Sequence, residues 1–403
     1  MSSTAQNLRR YLAAAVLVRV ADEGARVALL LLALQRTGSA ALGAVLVAAL
    51  LVPHVAAAPA VGLLTDRTPR PRWVLGAAAV GFAAALAAAA VGLGRLPVSA
   101  TLAILLVGGC CGPALTGGLT SQLRSLVPER SLPRAFGADS ASYSLSGIAG
   151  PSVAAVLAGL IGADGATLGL AGSAALGAAV LTVLPLGPRQ TRVASASVPG
   201  SRLTDGLAAV VHDPVLGTVT AASSLAQLGA GALPVVAAVL SARASRPGAA
   251  GLLMTAVAVG GLVGSLLWAW RPAPPERSAR TVMVSLLGVG LPLAAAAAVG
   301  SLLLVGALFA LSGVFLGPLT GALFTVRQRR APAPLQAQVF TLGAGVKTSC
   351  AAGGAALGGL LVGLPSSVQL LLVAGCPILV GSAGLGVLRG VRARATGGGA
   401  PSA

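Results

Sequence analysis

Arg19, Asp22, Glu23 and Arg26 fall within eight positions of an otherwise apolar run, VRVADEGARVALLLLALQ. On a helix turning about 100° per residue the four lie within an arc of about 100°, so they share one face. Their spacings of three and four let each acid pair with an arginine along the helix, and the set is formally neutral. Carboxylates held beside arginines in an apolar stretch can take up and release a proton. The cations favour the ionised form and desolvation favours the neutral one. Two more ionisable groups, His54 and Lys347, interrupt other apolar runs. Lys347 is the only lysine in the chain, and a lysine can lose its proton on desolvation where an arginine cannot. His54 alone fits a packed core histidine better than a proton carrier; beside the acidic helix and Lys347 it fits either.

The elements that carry these groups must be membrane helices. The chain is 56% hydrophobic and 9% charged with a mean hydropathy of +0.92, whereas soluble domains carry about 25% charged residues. A water-soluble chain could not cover so much apolar surface. The 55 glycines fit helices that approach closely within lipid. Runs of about 20 apolar residues, enough to cross about 30 Å of hydrocarbon, predict twelve spans: 11–35, 39–64, 73–94, 98–122, 137–160, 165–186, 215–240, 248–270, 281–299, 302–326, 338–363 and 366–388. At about 1.5 Å per residue, Asp22 lies about 16 Å along the first span from its arginine-rich end, His54 about 15 Å along the second and Lys347 about 14 Å along the eleventh, all near the midplane. Four charges facing lipid would cost roughly 10 kcal/mol, so the face of the first span must look into protein or a water-filled space. A structural ion-pair ladder is the competing reading.

The net charge of +18 invites a nucleic-acid reading, but the distribution of arginines rules it out. With the amino terminus inside, 20 basic residues fall in the loops and tails of one face, 4 on the other and 3 within spans. Such asymmetry sets orientation and predicts both termini in the cytoplasm. The opening RRYLAAAVLV has the charged start of a secretory leader. Its apolar run is broken by Arg19 and resumes at once as a spanning helix, so it is expected to be the first span. Cys110, Cys111, Cys350 and Cys376 all sit in apolar spans without a CxxC pair or a histidine at ligand spacing, which predicts packing and no metal or cofactor. No Ser/His/Asp set or phosphate loop appears, which argues against an enzyme.

The chain repeats itself. Span four ends GPALTGGLTSQLR at Arg124 and span ten ends GPLTGALFTVR at Arg327. Arg124 and Arg327, Leu132 and Leu335, and Gly150 and Gly353 are each 203 residues apart. A duplicated six-helix unit predicts two bundles, 1–187 and 214–390, with the substrate site between them near the midplane. Between them, 188–213 reads as a polar cytoplasmic linker ending in a short amphipathic helix over 203–212, and 391–403 as a disordered cytoplasmic tail. Arg124 and Arg327 are expected to serve as gate or lipid contacts. Tyr143 and Gln227 are candidates for the cavity wall.

GLLTDRTPRPRWVL resembles the loop between helices two and three of the major facilitator superfamily. Gly62, Leu64, Asp66, Arg67 and Arg70 match; Pro69 stands where the family has Gly and Pro71 where it has a base, with Arg72 next. The resemblance implies a conformational latch. In physical terms, an acid at a helix end can bond freed amides at the start of the next span, and the arginines can bind lipid phosphates or Asp66. SGIAGPSVAAVLAGLIG is similar to the Gly-Pro motif of that superfamily's antiporters through Gly147, Gly150 and Pro151. Small residues there would thin the helix for packing against the opposite half, and Pro151 would let it bend. RSLVPERSLPRAFGADSAS and DGLAAVVHDPVLG resemble the macrolide-efflux and siderophore-export branch.

The resemblance implies an all-α membrane fold of twelve helices in two pseudo-symmetric bundles. It also implies secondary transport by alternating access, with proton-coupled export of hydrophobic or amphipathic small molecules such as drugs. Import or uniport of a small metabolite on the same fold is the alternative. The expected setting is the cytoplasmic membrane of a bacterial cell. The expected partners are a small-molecule substrate, protons and the lipid bilayer, with no nucleic acid, and the chain is expected to be monomeric.

Overall fold

The computed structural model describes residues 3–186, 202–246 and 249–397. Of the linker expected over 188–213, residues 188–201 lie outside the described residues, as do residues 398–403 of the tail expected to be disordered over 391–403; residues 391–397 instead continue the last helix. Among the described residues the chain is helical, with one isolated bridge, Leu93 to Leu96, at the turn around Gly94.

The helices follow in order: α1 (Ser3–Thr37), α2 (Ala40–Leu51), α3 (Pro53–Arg67), α4 (Pro71–Gly92), α5 (Val98–Gly109), α6 (Leu119–Ser121), α7 (Leu123–Leu126), α8 (Leu132–Thr182), α9 (Asp205–His212), α10 (Pro214–Arg243), α11 (Ala249–Trp270), α12 (Ser278–Ala296), α13 (Leu302–Val314), α14 (Leu316–Arg330), α15 (Gln336–Leu360) and α16 (Ser366–Gly397). The boundaries have local causes. Gly38 takes φ +67 just beyond α1, a conformation glycine adopts without cost. Ser39 then caps α2, its hydroxyl accepting from the Leu42 amide at 3.1 Å. Pro53 lacks the N–H that would continue α2, so the second span is two helices in series. Pro71 and Pro214 open α4 and α10 at the first turn, where no amide is needed. Asp213 caps α10 by accepting from the amides of Val215 and Leu216 at 2.9 and 2.8 Å.

Nine helical segments among the described residues are long and apolar enough to cross a membrane. One of them bends at Gly162 (φ 78, ψ 167), which divides α8 into the expected fifth and sixth spans. Two further helices have spanning length but more polar content: α1 carries the four charges, and α15 carries Gln336, Gln338, Thr341 and Lys347. Together these give the twelve helices of the fold. The amphipathic helix expected near 203–212 is α9, with Leu207 and Val211 exposed.

By packing, the chain divides into two compact units. Unit one is Met1–Ala135, Ser142–Leu207 and Pro332–Gly345; unit two is Phe136–Ala141, Ala208–Ala331 and Val346–Ala403. The first part of α15 therefore packs with unit one, and six residues of α8 pack with unit two. A shift of 203 residues carries Phe136–Ala141 onto 339–344, inside the α15 segment, so this exchange obeys the repeat.

Unit one buries Tyr11, Leu29, Leu32, Leu50, Phe82 and Leu86 completely. Unit two centres on Phe309 with Val236, Leu253, Leu293 and Val373. Its α11 crosses α13 at backbone distance: a β-carbon on Gly260 would stand 2.0 Å from the Ala310 carbonyl oxygen, and one on Gly264 would stand 1.8 Å from that of Val314. Close approach of this kind replaces the hydrophobic drive that lipid removes.

Candidate functional site

The four charges of α1 do not share one environment. Arg19 and Asp22 are 2% and 3% exposed, whereas the Glu23 and Arg26 side chains are about a third exposed, at 32% and 37%. Arg26 bonds Glu23 at 2.8 Å and reaches Asp22 only at 3.4 Å. Arg19 turns toward hydroxyls: it donates to Ser142 Oγ on α8 and to Thr120 Oγ1 on α6, the latter at 3.0 Å. Its guanidinium carbon stands 3.6 Å from the Tyr143 ring centroid, and the Tyr143 hydroxyl is 3.3 Å from Thr120 Oγ1. Tyr143 thus belongs to the wall around Arg19, where a flat cation gains from both the ring face and the hydroxyls. Asp22 Oδ1 is buried and receives no hydrogen bond among the described residues. A buried carboxylate oxygen without a donor is costly, and a proton, a water or a ligand donor would satisfy it.

His54 sits on α3, 4% exposed, and interacts electrostatically with Asp22 and Arg26. Its ring lies on Gly112: a β-carbon there would meet Nε2 at 1.8 Å. His54 is thus a packed ring within the field of an acid.

The Gly-Pro motif on α8 joins the same site. Gly150 meets Gly24 of α1, each backbone occupying the place of the other's missing β-carbon: 2.7 Å to the Gly24 amide nitrogen in one direction and 2.8 Å to the Gly150 carbonyl oxygen in the other. The same imagined β-carbon on Gly150 would lie 2.9 Å from Glu23 Cβ. Thinning of this helix was expected to serve the opposite half; at Gly150 it serves α1, in the same unit. Gly147 has open space where a β-carbon would go. Pro151 lies one residue beyond, inside α8, where its ring disrupts the bond to the Gly147 carbonyl.

Asp66, at the end of α3, caps a different helix from the one expected. Its oxygens accept from the amides of Ala337 and Gln338 at 3.0 and 2.9 Å, in the first turn of α15 rather than of the adjacent α4. Below that cap α3 and α15 run in direct contact. A β-carbon on Gly62 would stand 2.5 Å from Gln338 Cα, and Thr341 Oγ1 donates to the Ala58 carbonyl at 2.8 Å. Residues 58, 62 and 66 are one α3 stripe at a spacing of four. Gln338 also accepts from the Gly206 amide at 2.9 Å, which ties α9 to the same place. Arg67 and Arg70 are exposed and Arg72 is half-buried, its guanidinium 5.6 Å from the Trp73 ring.

A shift of 203 residues maps Gly62 and Asp66 onto Ser265 and Ala269. Unit two shows the corresponding contact: a β-carbon on Gly137 of α8 would lie 2.6 Å from Ala269 Cα, and Ser140 Oγ is 3.0 Å from Ser265 Oγ. The packing is repeated but the acid is not. Where Asp66 caps α15, the corresponding position of unit two is Ala269.

The remaining candidates are more dispersed. Lys347 lies on α15 in unit two, half-buried, and feels the like charge of Arg327 on α14. Gln227 is half-buried on α10. Arg124 is exposed, whereas Arg327 is 1% exposed and so does not reach lipid. Sequence reasoning passed over Thr120 and Ser142, because a hydroxyl in an apolar helix carries no signal until its partner is known. It also passed over Asp139, fully buried on α8 and engaged with a partner. Asp139 falls inside the predicted fifth span, 137–160, where an acid should have drawn notice.

Twelve spanning helices in two repeated sets of six, with charges buried in a membrane helix and a capped contact between α3 and α15, define a multi-pass membrane transporter rather than an enzyme. The family model described as Major Facilitator Superfamily matches residues 11–355, and the chain belongs to the major facilitator superfamily; it is a secondary transporter. It is 32% identical over 363 residues to an MFS-type transporter of Sinorhizobium fredii, itself called uncharacterized, covering 87% of each chain. Among solved structures it is similar in fold to a bacterial homologue of the iron transporter ferroportin in an outward-facing state. That match has a TM-score of 0.75 at 18% identity and covers 95% of this chain and 99% of that one. It is also similar to the human organic anion transporter MFSD10 (TETRAN), with a TM-score of 0.72 at 17% identity and cover of 94% and 99%.

Proposed function

We propose that this transporter exports hydrophobic or amphipathic small molecules in exchange for protons, by alternating access across a bacterial cytoplasmic membrane, as a monomer with both termini inside. The observation that carries the reading is Asp22. It is a nearly inaccessible carboxylate near the middle of a spanning helix, with one oxygen lacking a donor and the other 3.4 Å from its arginine.

Asp22 is the proton carrier in this account. Glu23 holds Arg26 at 2.8 Å and so keeps that cation from fully neutralising Asp22. Arg19 stays fixed by Thr120, Ser142 and Tyr143 and supplies a constant positive field. His54, packed on Gly112, is the second group that can exchange a proton with the site. Lys347, a cation that can lose its proton on desolvation, is a further candidate for coupling. The Asp66 cap on α15 is the latch of one of those states, with Gly62 allowing the approach and Arg67, Arg70 and Arg72 as its basic flank. The spans hold few Asn, Gln or Trp residues, which supports an apolar substrate over a sugar, and Tyr143 and Gln227 are the candidates for polar contacts to it. Of the neighbours in fold, one is named as a homologue of an iron transporter and the other as an organic anion transporter; fold alone does not choose a substrate.

The test is coupled flux. Purified protein in vesicles containing a pH-sensitive dye should move protons against the direction of an added lipophilic compound, and an uncoupler should abolish its uphill transport. Uphill transport that persists with the proton gradient collapsed contradicts the proposal.

A further inference from the structure

We propose that the arginine-rich end of unit two binds an anionic glycerophospholipid through its phosphate. A cavity of about 650 Å³ opens there, lined by Arg280, Arg329, Arg330 and Arg389 together with Val326 and Leu388. Two of the arginines are held in place, Arg329 by Glu276 and Arg330 by Asp213, each at 3.2 Å. Glu276 stays ionised at neutral pH, because its own backbone amide and then Arg329 hold its carboxyl below the ordinary carboxylate range. Arg280 and Arg389 have no ion-pair partner among the described residues. The cavity thus presents four guanidinium groups against two acids, above buried apolar side chains. Its excess charge suits an anion, and its wall suits one with an apolar part.

Two further observations place the cavity at the membrane boundary. Trp270, 75% exposed, ends α11 immediately before the segment that carries Glu276, and tryptophan concentrates at the level of lipid headgroups. On α12, Arg280 is followed at spacings of four and eleven by Val284 and Leu291, exposed by 46% and 57%. These spacings return to one face of a helix. A phosphate held between Arg280 and Arg389 therefore has a lipid-facing apolar stripe running away from it, the length of several turns, on which an acyl chain can lie. Free phosphate would satisfy the arginines but not the stripe. This site is independent of the transport reading, since it uses none of the residues assigned to coupling.

The test uses the full-length purified protein in detergent, with native mass spectrometry to count bound lipid. Phosphatidylglycerol and phosphatidylcholine are compared at equal concentration, and inorganic phosphate is added as competitor. At about 1 kcal/mol for each arginine at an anionic headgroup, two unpaired arginines predict retention of phosphatidylglycerol roughly 30-fold above phosphatidylcholine. Arg280→Gln with Arg389→Gln should erase that preference, and inorganic phosphate at equal concentration should not displace the lipid. Equal retention of the two lipids by the unaltered protein overturns the proposal without recourse to any variant. So does a double variant that keeps the full preference, or displacement by inorganic phosphate, which would make the site one for a free anion.

Discussion

Asp66 Oδ2 accepts a hydrogen bond from the Gln338 amide at 2.9 Å, across 272 residues of chain. An acid at the end of one membrane helix thereby serves as the amino-terminal cap of another, where freed amides and the helix dipole both favour negative charge. The repeat offers Ala269 in the corresponding place, so the contact is chemically one-sided.

The first prediction follows from that cap. Asp66→Asn keeps the size and one acceptor but removes the charge and the second acceptor, at a cost of about 0.5–2 kcal/mol to the contact. Insertion and yield should be normal while transport falls several-fold. Placing an acid in the mirror position, Ala269→Asp, should not restore it. Full-rate transport by Asp66→Asn at normal expression would count against a latch.

Gly147 and Gly150 separate the close approach from simple small-residue preference. Gly150→Ala drives a β-carbon to within 2.7 Å of the Gly24 amide nitrogen, where neither backbone can yield cheaply. It should lower the thermal unfolding temperature and the folded yield by an amount typical of overpacking, about 1–3 kcal/mol or more. Gly147→Ala enters open space and should leave both unchanged. Equal behaviour of the two variants contradicts the α1–α8 crossing.

Gly112 and His54 give a third test. Gly112→Ala must displace the His54 ring, since the added carbon would overlap Nε2. The double change Gly112→Ala with His54→Ala should recover most of the lost stability, the signature of a direct contact. A double variant as unstable as the sum of the singles places His54 elsewhere.

Arg19 and Arg26 should differ in kind. Arg19→Gln leaves Thr120, Ser142 and Tyr143 around a smaller neutral group and removes a buried cation from its partners, so folded yield should drop by the several kcal/mol expected of broken buried charge networks. Arg26 is more than a third exposed, and Arg26→Gln should fold nearly normally while altering coupling. Comparing detergent unfolding curves of the two variants decides the matter.

The fold was legible in the sequence because each of its causes is local or periodic. Apolar length gave the spans, arginine placement gave the repeat of polar ends, and the shift of 203 residues gave the duplication. The feature that composition obscures is the break before Pro53, which turns on a single residue, whereas the bend at Gly162 falls in the gap expected between the fifth and sixth spans. The site was half legible. The face shared by Arg19, Asp22, Glu23 and Arg26 follows from helix geometry, but which of them is buried depends on α6 and α8, and no pattern along α1 contains that. The partner of Asp66 could not be read for the same reason. A carboxylate at a helix end announces that it will cap something, and the nearest helix start is the natural expectation. That α15 takes the bond instead depends on Gly62, which lets the two helices touch.

The most direct test of the account is proton movement through Asp22. Vesicles containing Asp22→Asn should bind the transported compound with near-normal affinity and yet show no proton flux on its addition and no uphill transport under an imposed pH gradient. Glu23→Gln in parallel should retain measurable coupling. If Asp22→Asn still couples proton flux to substrate movement at the rate of the unaltered protein, Asp22 is part of a structural ladder and the proposed mechanism is wrong.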